Sequence, residues 1–159
     1  METSEKITIE EVVKREGQYV GPTVGVSMLP MLKTGRDTIV VKRKTARLDA
    51  LDVALYKRGE NYVLHRVIRQ TESGYIIRGD NCYVDEIVNE ADVFGVLTEY
   101  FKKDEKIDCK TNEKYLRYAR KRVKRYKVRR FFVLPYRKAK GVLRKAYRLL
   151  FKRGVKKGE

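Results

Sequence analysis

The sequence predicts a mainly β protein, a compact β-domain with a short N-terminal helix in front of it and a basic α-helical C-terminal tail behind. Three observations carry this. Short β-rich runs broken by glycines follow one another from Tyr19 to Tyr100 with no helical pattern between them. Beyond about Asn112 the apolar spacing changes to three and four residues. The charge divides nearby: residues 1–109 hold 17 Lys and Arg against 19 Asp and Glu, whereas residues 110–159 hold 21 against 2. A chain of 159 residues has room for one ordinary domain, able to bury roughly two thirds of the surface its unfolded form exposes.

Each element has its own signal. Thr8 followed by Glu11 is a capping-box pattern, and Ile7 with Val12 can staple across it, so a helix is predicted from about 9 to 16, stopping at Gly17. Strands are predicted over residues 38–42, 53–56, 62–68, 75–78 and 93–100, a spacing that suits a compact antiparallel or mixed sheet. In the tail Tyr115, Ala119, Val123 and Tyr126 make one stripe. After Pro135 a second stripe joins Tyr136, Ala139, Leu143, Ala146 or Tyr147, and Leu150, so two basic amphipathic helices are predicted. The expected division is a β-domain over 1–109 and a helical tail over 110–159. The near-neutral domain is expected to fold without the tail.

No stretch approaches the ~18 uninterrupted apolar residues that a membrane-spanning helix requires. The acidic N-terminus, Met1-Glu2-Thr3-Ser4-Glu5, is the opposite of a secretory signal, so the expected location is the cytoplasm. Cys82 and Cys109 have neither metal-ligand spacing nor a CxxC arrangement and read as reduced structural thiols; no metal and no cofactor is expected.

Three segments could carry chemistry. Gly25-Val26-Ser27-Met28-Leu29-Pro30 places a serine before a tight turn, although a serine there also suits the N-cap of one helical turn. In Tyr62-Val63-Leu64-His65-Arg66-Val67-Ile68, strand alternation puts His65 on the face of Val63 and Val67. It is the only histidine in the chain, so any imidazole base must be this one. Gly79-Asp80-Asn81, followed by Asp85 and Glu86, is a turn rich in acids.

In this order, G-x-S-M-x-P, then a strand with H-R-V-I, then G-D-N with acids after it, the segments resemble the type I signal peptidases. The likeness is to the archaeal and endoplasmic-reticulum branch that has histidine where most bacterial members have lysine, and to the small soluble members of the S24/S26 peptidases. It covers roughly Tyr19 to Tyr100. The resemblance implies a signal-peptidase/LexA-like β-domain without the family's membrane anchor. It implies a serine endopeptidase cleaving a leader, signal or precursor peptide, with Ser27 as nucleophile, His65 as general base and the Ser27 backbone N–H as oxyanion donor. The third member of the triad is implied to be an acid, one of Asp80, Asp85 and Glu86. A hydroxyl side chain that many bacterial members use beside the oxyanion is replaced here by Gly25 and Val26, so a second donor must come from elsewhere.

The chemistry suits the pairing. A serine hydroxyl is hardly ionised at neutral pH, and an imidazole with an ordinary pKa near 6.5 can take its proton at about pH 7. The basic stripes over residues 113–157 suit an anionic membrane surface on the inner face, with nucleic acid as the rival partner and packing onto the domain as the plainer use. A non-catalytic binding protein of the same fold, its tail on membrane or nucleic acid, is the alternative function.

Overall fold

In a computed structural model that describes residues 7–133, 135, 136, 143 and 147, helix α1 (Ile9–Glu16) starts from Thr8, with both halves of the capping box made. It ends at Gly17, whose φ of 76° stops the helix. Eight strands follow: β1 (Gln18–Pro22), β2 (Asp37–Arg43), β3 (Val53–Arg58), β4 (Asn61–Gln70), β5 (Gly74–Arg78), β6 (Glu86–Asn89), β7 (Val93–Lys102) and β8 (Glu105–Asp108). They make one curled antiparallel sheet in the order β1-β2-β7-β3-β4-β5-β6, with β8 added to β7. Register shifts at Val40/Val41, Leu55/Tyr56 and Val67/Arg69 bend the strands where they occur.

The five predicted strands are β2, β3, β4, β5 and β7. The three that were not predicted lie at edges or are short: β1 contains Gly21 and ends on Pro22, β6 has four residues, and β8 reads Glu-Lys-Ile-Asp. An edge strand tolerates proline and polar residues because one side of it needs no ladder partner.

Strand β3 is buried on both faces and divides the core. Val53 and Leu55 join Met28, Met31, Leu32 and Leu97 on one side, while Ala54 and Tyr56 join Val63, Val67 and Ile77 on the other. Three of these anchors, Met28, Met31 and Leu32, come from the connection between β1 and β2, so the segment that carries Ser27 is tied down by its own apolar neighbours.

Helix α2 (Glu113–Lys124) is capped by Asn112, whose Oδ1 accepts the Tyr115 N–H at 2.9 Å. Its inward residues Tyr115 and Ala119 are buried, Tyr115 within the cluster of Leu55 and Tyr100. The boundary expected after residue 109 follows charge, but compactness follows burial, and the first unit runs to Val123. A second unit begins at Lys124 and is helical at 126–133. Of the second stripe, Tyr136, Leu143 and Tyr147 are described and exposed; Ala139, Ala146 and Leu150 lie outside the described residues.

Candidate active site

The site is assembled from strand register. Ala54 of β3 stands opposite His65 of β4, so Tyr56, two residues along the same face, is a diagonal cross-strand neighbour of the histidine. Its hydroxyl lies 3.1 Å from His65 Nδ1. The same hydroxyl donates to Glu86 Oε2 at 2.8 Å, and Glu86 Oε1 is 3.4 Å from Nδ1. Arg58 Nη1 holds both oxygens of Glu86, at 3.0 and 3.1 Å.

Counting protons fixes the imidazole. Tyr56 has one hydroxyl hydrogen, and Glu86 takes it, so towards His65 the phenol oxygen can only accept. Nδ1 therefore carries the hydrogen and Nε2 keeps its lone pair. Burial together with the bond to Glu86 pushes the Tyr56 pKa far above its ordinary value, which keeps that hydrogen in place. His65 is 3% exposed, and burial holds its pKa below the ordinary 6.5, against the opposing pull of the Glu86 carboxylate. The ring is thus neutral at pH 7, the state a proton acceptor needs.

Nε2 points to the turn after β5. A Cβ built on Gly79 would stand 2.8 Å from His65 Nε2, 2.8 Å from the Ser27 carbonyl oxygen and 2.8 Å from Cys82 Sγ. Any side chain there would have to displace one of the three, so glycine is required by close approach. The same turn is laced to the Ser27 segment: Asn81 N–H donates to the Ser27 carbonyl at 2.7 Å and Asn81 Nδ2 to the Val26 carbonyl at 3.1 Å. Gly25, with φ 94°, turns the chain into this segment through a conformation that a side chain would resist. Among the described residues no hydrogen bond joins Ser27 Oγ to His65, and no described residue engages the Ser27 N–H.

Ser27 and His65 line one cavity of about 530 Å³, together with Met28, Ile39, Leu55 and Tyr62. Two strand edges border it. Among the described residues β1 pairs only with β2, and β4 pairs with β5 only from Arg66 onward, so residues 61–65 carry a ladder there on their β3 side alone.

The three candidate acids have different partners. Asp80, its side chain 2% exposed, is gripped by the fully buried Arg66 through two bonds of 2.8 Å and also accepts from Tyr118 at 3.0 Å. Burial opposes the Arg66 charge, yet Asp80 more than offsets it and the guanidinium pKa is raised. Asp85 is half exposed and accepts from Arg78 at 2.5 Å. Among the described residues only Glu86 has a carboxylate oxygen within salt-bridge distance of the His65 ring. The sequence assigned no role to Tyr56 or Arg58, nor to Arg66 beyond its place in the H-R-V-I run; only the parity of β3 against β4, once the register is known, would have marked Tyr56. Among the described residues no group of three or more His, Cys, Asp or Glu is placed to hold a metal.

No family model, curated protein or solved structure matches the chain.

Proposed function

We propose that the chain is a serine-type endopeptidase of the type I signal peptidase kind, hydrolysing a leader, signal or precursor peptide. The observation that carries this reading is the proton order at His65: Nδ1–H is committed to the Tyr56–Glu86 pair, and the basic Nε2 lies towards the Ser27 segment in a shared cavity.

In this mechanism Ser27 Oγ attacks the scissile carbonyl as its proton passes to Nε2. The imidazolium so formed is stabilised by the Glu86 carboxylate, which Arg58 holds in place. The Ser27 N–H donates to the oxyanion, a contribution of about 3 kcal/mol in comparable sites. His65 then returns the proton to the leaving amine, and water repeats the sequence on the acyl-enzyme. The open edges of β1 and of residues 61–65 suit a substrate bound as an added strand, its side chains alternating into the apolar cavity. Ser27 Oγ needs to close on Nε2 when substrate binds, since hydrogen bonds of this kind tighten in the substrate complex.

Labelling with a fluorophosphonate tests the reading. Wild type is expected to be modified at Ser27 and Ser27→Ala to stay unmodified; a wild-type chain that resists the reagent across pH 6–9 would overturn it.

A second reading is favoured by one observation, the missing hydrogen bond between Ser27 and His65: a non-catalytic protein of this fold that acts through its tail. Either reading needs a partner for the second unit. Val128, Phe131 and Phe132 share one helical face, Phe131 being 74% exposed, beside Arg125, Lys127, Arg129 and Arg130. That pairing of apolar face and positive charge suits an anionic membrane surface better than a nucleic acid, and would hold the protein peripherally, since among the described residues no helix is long and apolar enough to cross a bilayer. Replacing Phe131 and Phe132 by serine leaves the charge untouched, so it is expected to weaken binding to anionic vesicles and leave DNA binding nearly unchanged. Equal loss of both would point to a phosphate-binding arm.

A further inference from the structure

Helix α2 does more than close the core. On its last turn Arg122 donates from Nε to the Asp80 carbonyl at 2.8 Å and from Nη2 to the Leu29 carbonyl at 3.2 Å. One turn earlier, on the same face, Tyr118 donates to Asp80 Oδ2 at 3.0 Å. The two carbonyls belong to different segments. Asp80 lies in the turn whose Gly79 covers His65 Nε2, and Leu29 lies two residues beyond Ser27. Asn81 also ties that turn to that segment, through the Ser27 and Val26 carbonyls, and Arg66 joins Asp80 to Met31 from the side of the core. A guanidinium is a rigid planar fork, so two carbonyls that share one are held at a set separation in a way no flexible ammonium can reproduce.

We propose that Arg122 is a positioning residue of the candidate site: it pins the turn over His65 to the segment that carries Ser27, and so sets how closely the hydroxyl can approach the imidazole. The proposal rests on the serine-peptidase reading and adds to it a helix that follows the last strand of the sheet. Arg122 stands in a run of basic residues, Arg120-Lys121-Arg122, where it looks like one more solvated charge. Its half-buried guanidinium, bound to two backbone oxygens, is a different object.

The single histidine makes the test direct, because ring NMR of the full chain reports His65 without assignment and without turnover. The groups that face the ring are Tyr56 and Arg58 from β3, Glu86 from β6, and Asp80 and Cys82 from the turn. In Arg122→Gln the turn is expected to loosen and admit water to Nε2. The His65 pKa should then rise towards 6.5, reversing the effect of burial. Phosphonylation of Ser27 should slow by about 10- to 100-fold, as for a misplacement of order 1 Å. Arg122→Lys is expected to recover little, and millimolar guanidinium to restore part of the rate to Arg122→Gly.

A role confined to stability would lower Tm while the rate per folded molecule, the His65 pKa and the response to guanidinium stayed put; that outcome overturns the proposal. Should Arg122→Gln fail to fold, Tyr118→Phe decides. It loosens the same turn by one hydrogen bond, so smaller shifts of the same sign support the proposal and unchanged values overturn it. A wild type that resists phosphonylation, together with a His65 pKa that responds to Arg122→Gln, would sink the peptidase reading and leave the positioning role standing.

Discussion

Neutralising the three acids near His65 one at a time should give three different phenotypes. In Glu86→Gln the amide can donate to the Tyr56 oxygen, freeing the phenol hydrogen to turn towards Nδ1. The imidazole then keeps its hydrogen on Nε2, the wrong tautomer for accepting from Ser27. A tautomer error of this kind costs about 10²- to 10⁴-fold in rate. Stability should change little, because Glu86 is partly exposed and Arg58 beside it faces solvent. Asp80→Asn acts in the opposite way. It leaves the Arg66 charge, 0% exposed, without its counter-ion, at a cost of about 3–5 kcal/mol, a large share of an ordinary domain's stability. Asp85→Asn, whose side chain is 46% exposed, should cost about 0–1 kcal/mol and leave the rate unchanged. Phosphonylation kinetics per folded molecule, with urea unfolding followed by circular dichroism, separate the three. The reasoning fails if Glu86→Gln keeps a rate within about threefold of wild type, or if Asp80→Asn loses rate without losing stability.

Other outcomes follow from the same geometry. Ser27→Ala, His65→Ala and the double variant should be about equally inactive in peptide hydrolysis, because nucleophile and base act as one unit; losses that add would refute the pairing. The His65 pKa lies below its unfolded value of 6.5, so between the two values the unfolded chain binds a proton that the folded chain does not. This contribution to stability is complete above pH 6.5 and is lost as pH falls towards the folded value, and urea titrations of wild type against His65→Gln should show the difference confined to that window. At Tyr115, replacement by phenylalanine keeps the packing but removes the acceptor of Arg66 Nη1 at 3.0 Å, costing about 1–3 kcal/mol. Tyr115→Ala also empties a buried ring site and should cost about 3–5 kcal/mol or more; a cost under about 1 kcal/mol in urea unfolding would show that α2 is not part of the core.

What the sequence by itself determined was local or compositional. The capping box at Thr8 and Glu11, the stop at Gly17, the short β-rich runs of the five predicted strands and the reversal of charge after residue 109 are each properties of a few neighbouring residues or of a count. The serine turn, the histidine and the acidic turn were legible as well, the histidine because there is only one. The tertiary structure decided everything that depends on which distant residues meet. Three acids within seven residues look alike in a string, but Arg66 takes Asp80, Arg78 takes Asp85, and of the three Glu86, placed by the pairing of β6 on β5, is the one whose oxygen comes within salt-bridge distance of the imidazole. The edge strands β1, β6 and β8 were hidden because a strand with one ladder partner needs little apolar pattern of its own. The extent of the first unit was hidden for a related reason. Charge is a sum over a segment, whereas burial is settled residue by residue, and Tyr115, Tyr118 and Arg122 turn inward from a helix whose other faces are basic.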